Sequence, residues 1–137
     1  STLINSFPQQ SSVTAVIVPG QPALTVSFTQ LSNDIRKCQR KLAALGITHE
    51  SAVSIVLLNS CKFIVSFLAA SWQRGIAAPL NPNYKQSEVE FYIDDLLSSL
   101  ALVPKGAFAA NAPSVRATRK YRGSKSRTKP RMTEARK

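Results

Sequence analysis

Residues 52–58 read AVSIVLL, a near-continuous apolar run broken only by Ser54. A strand with one wet face alternates apolar and polar residues. A run without alternation is expected of a strand covered on both faces, the situation in parallel sheets flanked by crossover helices. The residues immediately C-terminal to it support that reading. Asn59 and Ser60 are good N-cap residues. CKFIVSFLAASWQRG then reads as a helix, with Phe63, Phe67 and Ala70 on one side and Gly75 closing it. IAAPL, residues 76–80, is a second short apolar run. Strand, helix and strand in this order predict a βαβ unit.

The pattern extends in both directions. VTAVIV (13–18) is β-branched, PGQP (19–22) is turn chemistry and ALTVS (23–27) is a second short strand, so the pair can form a hairpin. Ser27 and Gln30 have capping-box spacing. Leu31, Ile35, Cys38, Leu42 and Leu45 then share one helix face, with Asp34, Arg36, Lys37, Arg40 and Lys41 mostly elsewhere and Gly46 at the position of a C′ residue. Beyond APLNPNY, Ser87 and Glu90 repeat the capping-box spacing, and Val89, Ile93, Leu96 and Leu97 supply the buried stripe of a third helix. LALVP (100–104) is a last strand, stopped by Pro104. The order β-α-β-α-β-α-β predicts an α/β domain with a mainly parallel sheet.

Charge divides the chain. Its formal net charge is +11, but residues 116–137 hold ten Lys or Arg and one acid. The segment RATRKYRGSKSRTKPRMTEARK shows no apolar periodicity, and Tyr121 and Met132 stand alone in it. Residues 111–137 therefore read as a disordered basic tail, 13–110 as the folded body and 1–12 as an N-terminal extension. Through Arg116, Arg119, Lys120, Arg122, Lys125 and Arg127 the tail could hold a phosphate backbone, with Tyr121 stacking on a base. One aromatic among ten cations is a poor stacking platform, and a solvated tail is the simpler expectation.

No residue reads as catalytic, cofactor-binding or metal-binding. His49 is the single histidine and sits in the loop LGITHESA without an attendant Ser or Cys motif. Asp94 and Asp95 are adjacent on a helix and point about 100° apart, which reads as two surface acids. Glu88 and Glu90 suit a helix first turn. None of the five glycines builds a GxGxxG or Walker A loop, and GSKS (123–126) lacks the flanking strand and helix. Cys38 and Cys61 match no metal spacing and are expected to be reduced thiols in an intracellular protein. The N-terminus STLINSFPQQSS does not read as a secretory signal. FIVSFLAASW (63–72) is too short to span a bilayer and reads as a buried helix, with Trp72 in or beside the core.

Three segments in order, LTVSFTQLSNDIRKCQRKLAALGI, AVSIVLLNSCKFIVSFLAASWQRGIAAPLNPNY and SEVEFYIDDLLSSLALVP, resemble the N-terminal part of the adenylate-forming acyl-CoA synthetases. PLNPNY spans Pro79 to Tyr84, FYIDDL spans Phe91 to Leu96, and VPKG ends at Lys105 and Gly106. Their combination is most similar to the fungal peroxisomal branch. The resemblance covers about residues 13–110.

That resemblance implies activation of a carboxylic acid by ATP and Mg²⁺ to an acyl-adenylate, followed by transfer to coenzyme A. The motifs that carry the family's chemistry are a Ser/Thr/Gly-rich phosphate loop, a Thr-Glu motif, a ribose-holding Asp and a C-terminal Lys. None is present here, so no catalytic residue is carried over. The chain is expected to be a truncated N-terminal fragment, inactive by itself. It ends Ala135-Arg136-Lys137 rather than in the peroxisomal tripeptide of such relatives, which points to the cytoplasm. The alternative is a non-enzymatic binding module whose basic tail takes nucleic acid or an acidic partner.

Overall fold

The computed structural model describes residues 6–8, 10–121 and 129–135. Its elements run β1 (Thr14–Val18), β2 (Leu24–Ser27), α1 (Phe28–Ala44), β3 (Ala52–Ile55), α2 (Cys61–Trp72), β4 (Ile76–Pro79), α3 (Gln86–Leu96), β5 (Ser98–Val103), α4 (Ala107–Ala110), α5 (Pro113–Lys120) and β6 (Arg131–Glu134). β1 and β2 pair antiparallel as the expected hairpin and form a sheet of their own. The other strands form a parallel sheet in the order β4-β3-β5-β6. The expected α/β fold with a parallel sheet is therefore present.

Helices cover both faces of that sheet. On one side, Leu31, Ile35 and Leu42 of α1 and Ala69, Ala70 and Trp72 of α2 pack with Val53, Ile55, Leu100 and Leu102. On the other, Val89 and Ile93 of α3 meet Ala117 and Tyr121, while Val103 and Ala107 meet Val115. β3 lies between β4 and β5 with helices above and below, which is why residues 52–57 are all buried. Ser54 interrupts the apolar run because it has a partner: its hydroxyl and that of Ser98 on β5 hydrogen-bond to each other in the buried sheet.

Local signals decide the helix ends. Ser27 Oγ accepts the Gln30 N–H at 3.2 Å, and Gln30 Oε1 accepts the Ser27 N–H at 2.9 Å, completing the expected box. Gly46 takes φ +85° after the last turn of α1. Two other ends differ from expectation. Arg74, not Gly75, adopts the left-handed conformation after α2, at φ +63°. Gly75 is required for a close approach instead, since a Cβ there would sit 2.9 Å from the Ser51 carbonyl oxygen. The third helix starts at Gln86 with Lys85 as its N-cap, and Glu88 Oε2 accepts the Lys85 N–H at 2.7 Å. Ser87 lies inside its first turn and Glu90 just beyond it, one turn on from Gln86, whose side-chain N–H it accepts at 3.1 Å.

The larger correction concerns the tail. Where disorder was expected, residues 113–120 form α5 and residues 131–134 form β6, which extends the parallel sheet from β5. Basic residues masked a sparse apolar face: Val115, Ala117, Tyr121 and Met132 all join clusters under the sheet. The N-terminal extension also contributes, as Phe7 packs edge-on against Trp72 at 5.5 Å and Phe28 at 5.7 Å.

Candidate functional site: a crevice beside the PLNPNY turn

In open α/β sheets the carboxyl ends of strands offer ligand crevices where neighbouring strands send their connections to opposite faces. β3 and β4 meet that condition. The chain leaves β3 for α2 on one face and leaves β4 for α3 on the other. Between their carboxyl ends lies a crevice of about 340 Å³, lined by Leu57, Leu58, Asn59, Phe63, Pro79, Leu80, Asn81 and Pro82.

The sequence builds this crevice by stopping two strands abruptly. The Leu80 N–H still donates to the Ile55 carbonyl at 2.9 Å, the last rung between the strands. Pro82 then has no N–H to offer. Asn81 closes the turn itself: its Oδ1 accepts the Asn83 N–H at 2.9 Å and its carbonyl accepts the Tyr84 N–H at 3.1 Å. Tyr84 stacks on Tyr92 of α3 with ring centroids 5.2 Å apart. Its hydrogen bond with Tyr92, then the charge interaction of the two phenols, pushes the Tyr84 hydroxyl above the ordinary phenol range. The turn is thus fixed at both ends, to β3 by backbone and to α3 by aromatic contact.

The crevice brings together the opening residues of the PLNPNY turn and the Asn59 region after β3, two stretches that the sequence suggested separately. The remaining candidates lie elsewhere. His49 is exposed, 3.8 Å from Glu50 in the loop before β3. Asp95 is exposed, but Asp94 is more than a surface acid, since it accepts the Tyr121 hydroxyl at 3.1 Å. Tyr121 is buried and cannot stack on a base. Arg116 donates to Gln86 Oε1 at 3.1 Å, and Arg119 to Asn111 Oδ1 at 3.3 Å. Lys120 is exposed, and Arg122, Lys125 and Arg127 lie outside the described residues. Cys38 and Cys61 are free thiols lining a separate cleft between α1 and α2. Among the described residues no group of three or more His, Cys, Asp or Glu could hold a metal ion. No helix among them is long and apolar enough to cross a membrane.

The family of AMP-binding enzymes matches residues 5–135 of the sequence. The chain belongs to the AMP-binding enzyme family. That match includes α5 and β6, so the family likeness does not stop near residue 110, as the change in charge suggested. An oxalate–CoA ligase of Saccharomyces cerevisiae is 36% identical over 115 residues, covering 77% of this chain and 21% of that ligase. A probable CoA ligase of Humulus lupulus is 37% identical over 99 residues, covering 72% of this chain and 18% of that protein. The chain thus spans about a fifth of the length of these relatives. AMP-binding enzymes of known structure share the fold. A Mycobacterium tuberculosis fatty acyl CoA synthetase superposes over 84% of this chain and 22% of its own, with TM-score 0.69 and 23% identity. ATP-bound MatB from Rhodopseudomonas palustris superposes over 91% and 23%, with TM-score 0.68 and 15% identity.

Proposed function

We propose that this chain forms the N-terminal scaffold of an ATP-dependent, AMP-forming acid–CoA ligase. In this reading the whole enzyme activates a carboxylic acid as its acyl-adenylate and passes the acyl group to coenzyme A. The present segment holds the sheet and the PLNPNY turn in place. The observation that carries the reading is the family match across residues 5–135, taken with the CoA-ligase names of the relatives. The fragment reading draws support from the absence of the phosphate loop, the Thr-Glu motif, the ribose-holding Asp and the distal Lys from the sequence. These residues therefore position and support, and no catalytic step is assigned to them. Two free thiols suit an intracellular, reducing compartment.

The test is an exchange. Placing these residues in the corresponding segment of the Saccharomyces cerevisiae oxalate–CoA ligase is expected to preserve acid-dependent pyrophosphate release. The 137-residue chain with ATP, Mg²⁺, oxalate and CoA is expected to release none. Acid-dependent release by the chain alone would overturn the scaffold assignment, and an inactive but folded chimera would overturn the ligase assignment.

A further inference from the structure

A second cleft, of about 430 Å³, lies between α1, α2 and the strands β5 and β6, and shares no lining residue with the crevice at the PLNPNY turn. Val65, Leu102 and Ala135 give it an apolar floor, and Lys37, Lys41 and Lys62 line it as cations. Two carboxylates are also near, but neither neutralises those lysines. Glu134 spends its Oε2 on the Phe108 N–H at 2.9 Å, while Lys41 Nζ reaches only the Glu134 backbone carbonyl, at 3.4 Å. Asp34 lines the cleft, yet among the described residues the one ion pair is His49–Glu50. Three ammonium groups therefore border an apolar cavity, and among the described residues none of them is within ion-pairing distance of a carboxylate. The Cys38 thiol is held in its neutral form by burial, so it adds a soft apolar wall and no competing anion.

Apolar walls with a few convergent charged groups are the usual composition of a small-ligand site, and this volume falls in the usual range. We propose that this cleft binds an aliphatic monoanion, its chain over Val65, Leu102 and Ala135 and its carboxylate among Lys37, Lys41 and Lys62. The space accommodates on the order of ten non-hydrogen atoms with room to spare, at roughly the volume of one water each. The assignment rests on the cleft's own chemistry and is independent of the ligase reading.

Titration of the ¹⁵N-labelled chain with octanoate tests it. The expected result is saturable shifts centred on Val65, Leu102 and Ala135, with a rise in thermal midpoint. Acetate, lacking the chain, and octanol, lacking the charge, are each expected to bind roughly tenfold more weakly, the scale of one lost contact set near a protein surface. The triple variant Lys37→Gln, Lys41→Gln, Lys62→Gln is expected to weaken octanoate to the level of octanol and to leave octanol unchanged. Val65→Trp, which fills the floor, is expected to abolish both. Undiminished octanoate binding in the triple variant, shifts centred elsewhere, or neither shifts nor a gain in midpoint would overturn the proposal.

Discussion

The Tyr121 hydroxyl donates to Asp94 Oδ1 across 3.1 Å, joining the end of α5 to α3 on the face of the sheet opposite α1 and α2. Removing only the hydroxyl, by Tyr121→Phe, is expected to cost about 1 kcal/mol, the net worth of one hydrogen bond. Tyr121→Ala also empties the cluster around Val89, Ile93 and Ala117, and is expected to cost about 3 kcal/mol. Urea midpoints of the two variants check the difference. Equal midpoints would mean that the ring contributes no packing.

The buried Ser54–Ser98 pair makes a sharper test of polar accounting in the sheet. Either single Ala variant leaves one buried hydroxyl unsatisfied and is expected to lose about 1–3 kcal/mol. The double Ala variant removes both polar groups and is expected to lie closer to the parent than either single variant. A double-mutant cycle by chemical denaturation measures this, and additive losses would rule it out.

Two glycines are needed for different reasons. Gly75→Ala places a methyl group 2.9 Å from the Ser51 carbonyl oxygen at the start of β4. It is expected to cost about 1–3 kcal/mol through displacement of one strand end. Gly46→Ala meets no atom, but must hold φ +85°. Its cost is expected at about 1 kcal/mol, from backbone conformation alone. Gly46→Asn, which tolerates that conformation better, is expected to recover part of the loss, whereas Gly75→Asn is not. Thermal midpoints separate the cases.

Burial raises the Cys38 thiol above its ordinary value of about 9, and the Lys41 charge and a hydrogen bond with Ser66 offset only part of that rise. The thiolate is the reacting form, so alkylation of folded Cys38 is expected to be slow at pH 8 and to accelerate only above the ordinary thiol range. Lys41→Gln removes a charge that favours the thiolate and is expected to slow alkylation further. The linkage has a definite sign. The folded state holds this proton more tightly than the unfolded state, so the contribution is intact below the unfolded value. It is lost as pH rises from there through the raised folded value. Mass-resolved alkylation rates from pH 7 to 10 check the first statement, and urea midpoints over the same range check the second.

The body of the fold was legible because its signals are local and agree with one another. The apolar run AVSIVLL marked a covered strand, which occupies Ala52–Ile55 and ends before the exposed Leu58, and the Ser27–Gln30 box sits directly before a periodic apolar stripe. The start of α3 was ambiguous because Lys85–Glu88 and Ser87–Glu90 have the same spacing. Glu88 prevails because its carboxylate reaches the free N–H immediately after the asparagine turn. α5 and β6 were illegible for a physical reason: α5 buries small residues such as Ala117 beneath its arginines, and β6 is an edge strand, RMTE, with little apolar surface to hide. Missing β6 also hid the lysine cleft, since Ala135 and Glu134 complete it. Of the PLNPNY crevice, the turn was visible in sequence. Its apposition to Leu57–Asn59 required the pairing of β3 with β4.

The strand order has a consequence for how the protein is made. β3, at the centre of the parallel sheet, leaves the ribosome before every other strand of that sheet, and β4, β5 and β6 come after it in turn. Each newcomer docks on an edge already waiting for it, first on one side of β3, then on the other, then farther out. Assembly from the middle outward keeps each loop closure modest and leaves no early strand waiting for a distant partner. β6, emerging after β5, would then close on the rim of a sheet whose centre is already in place.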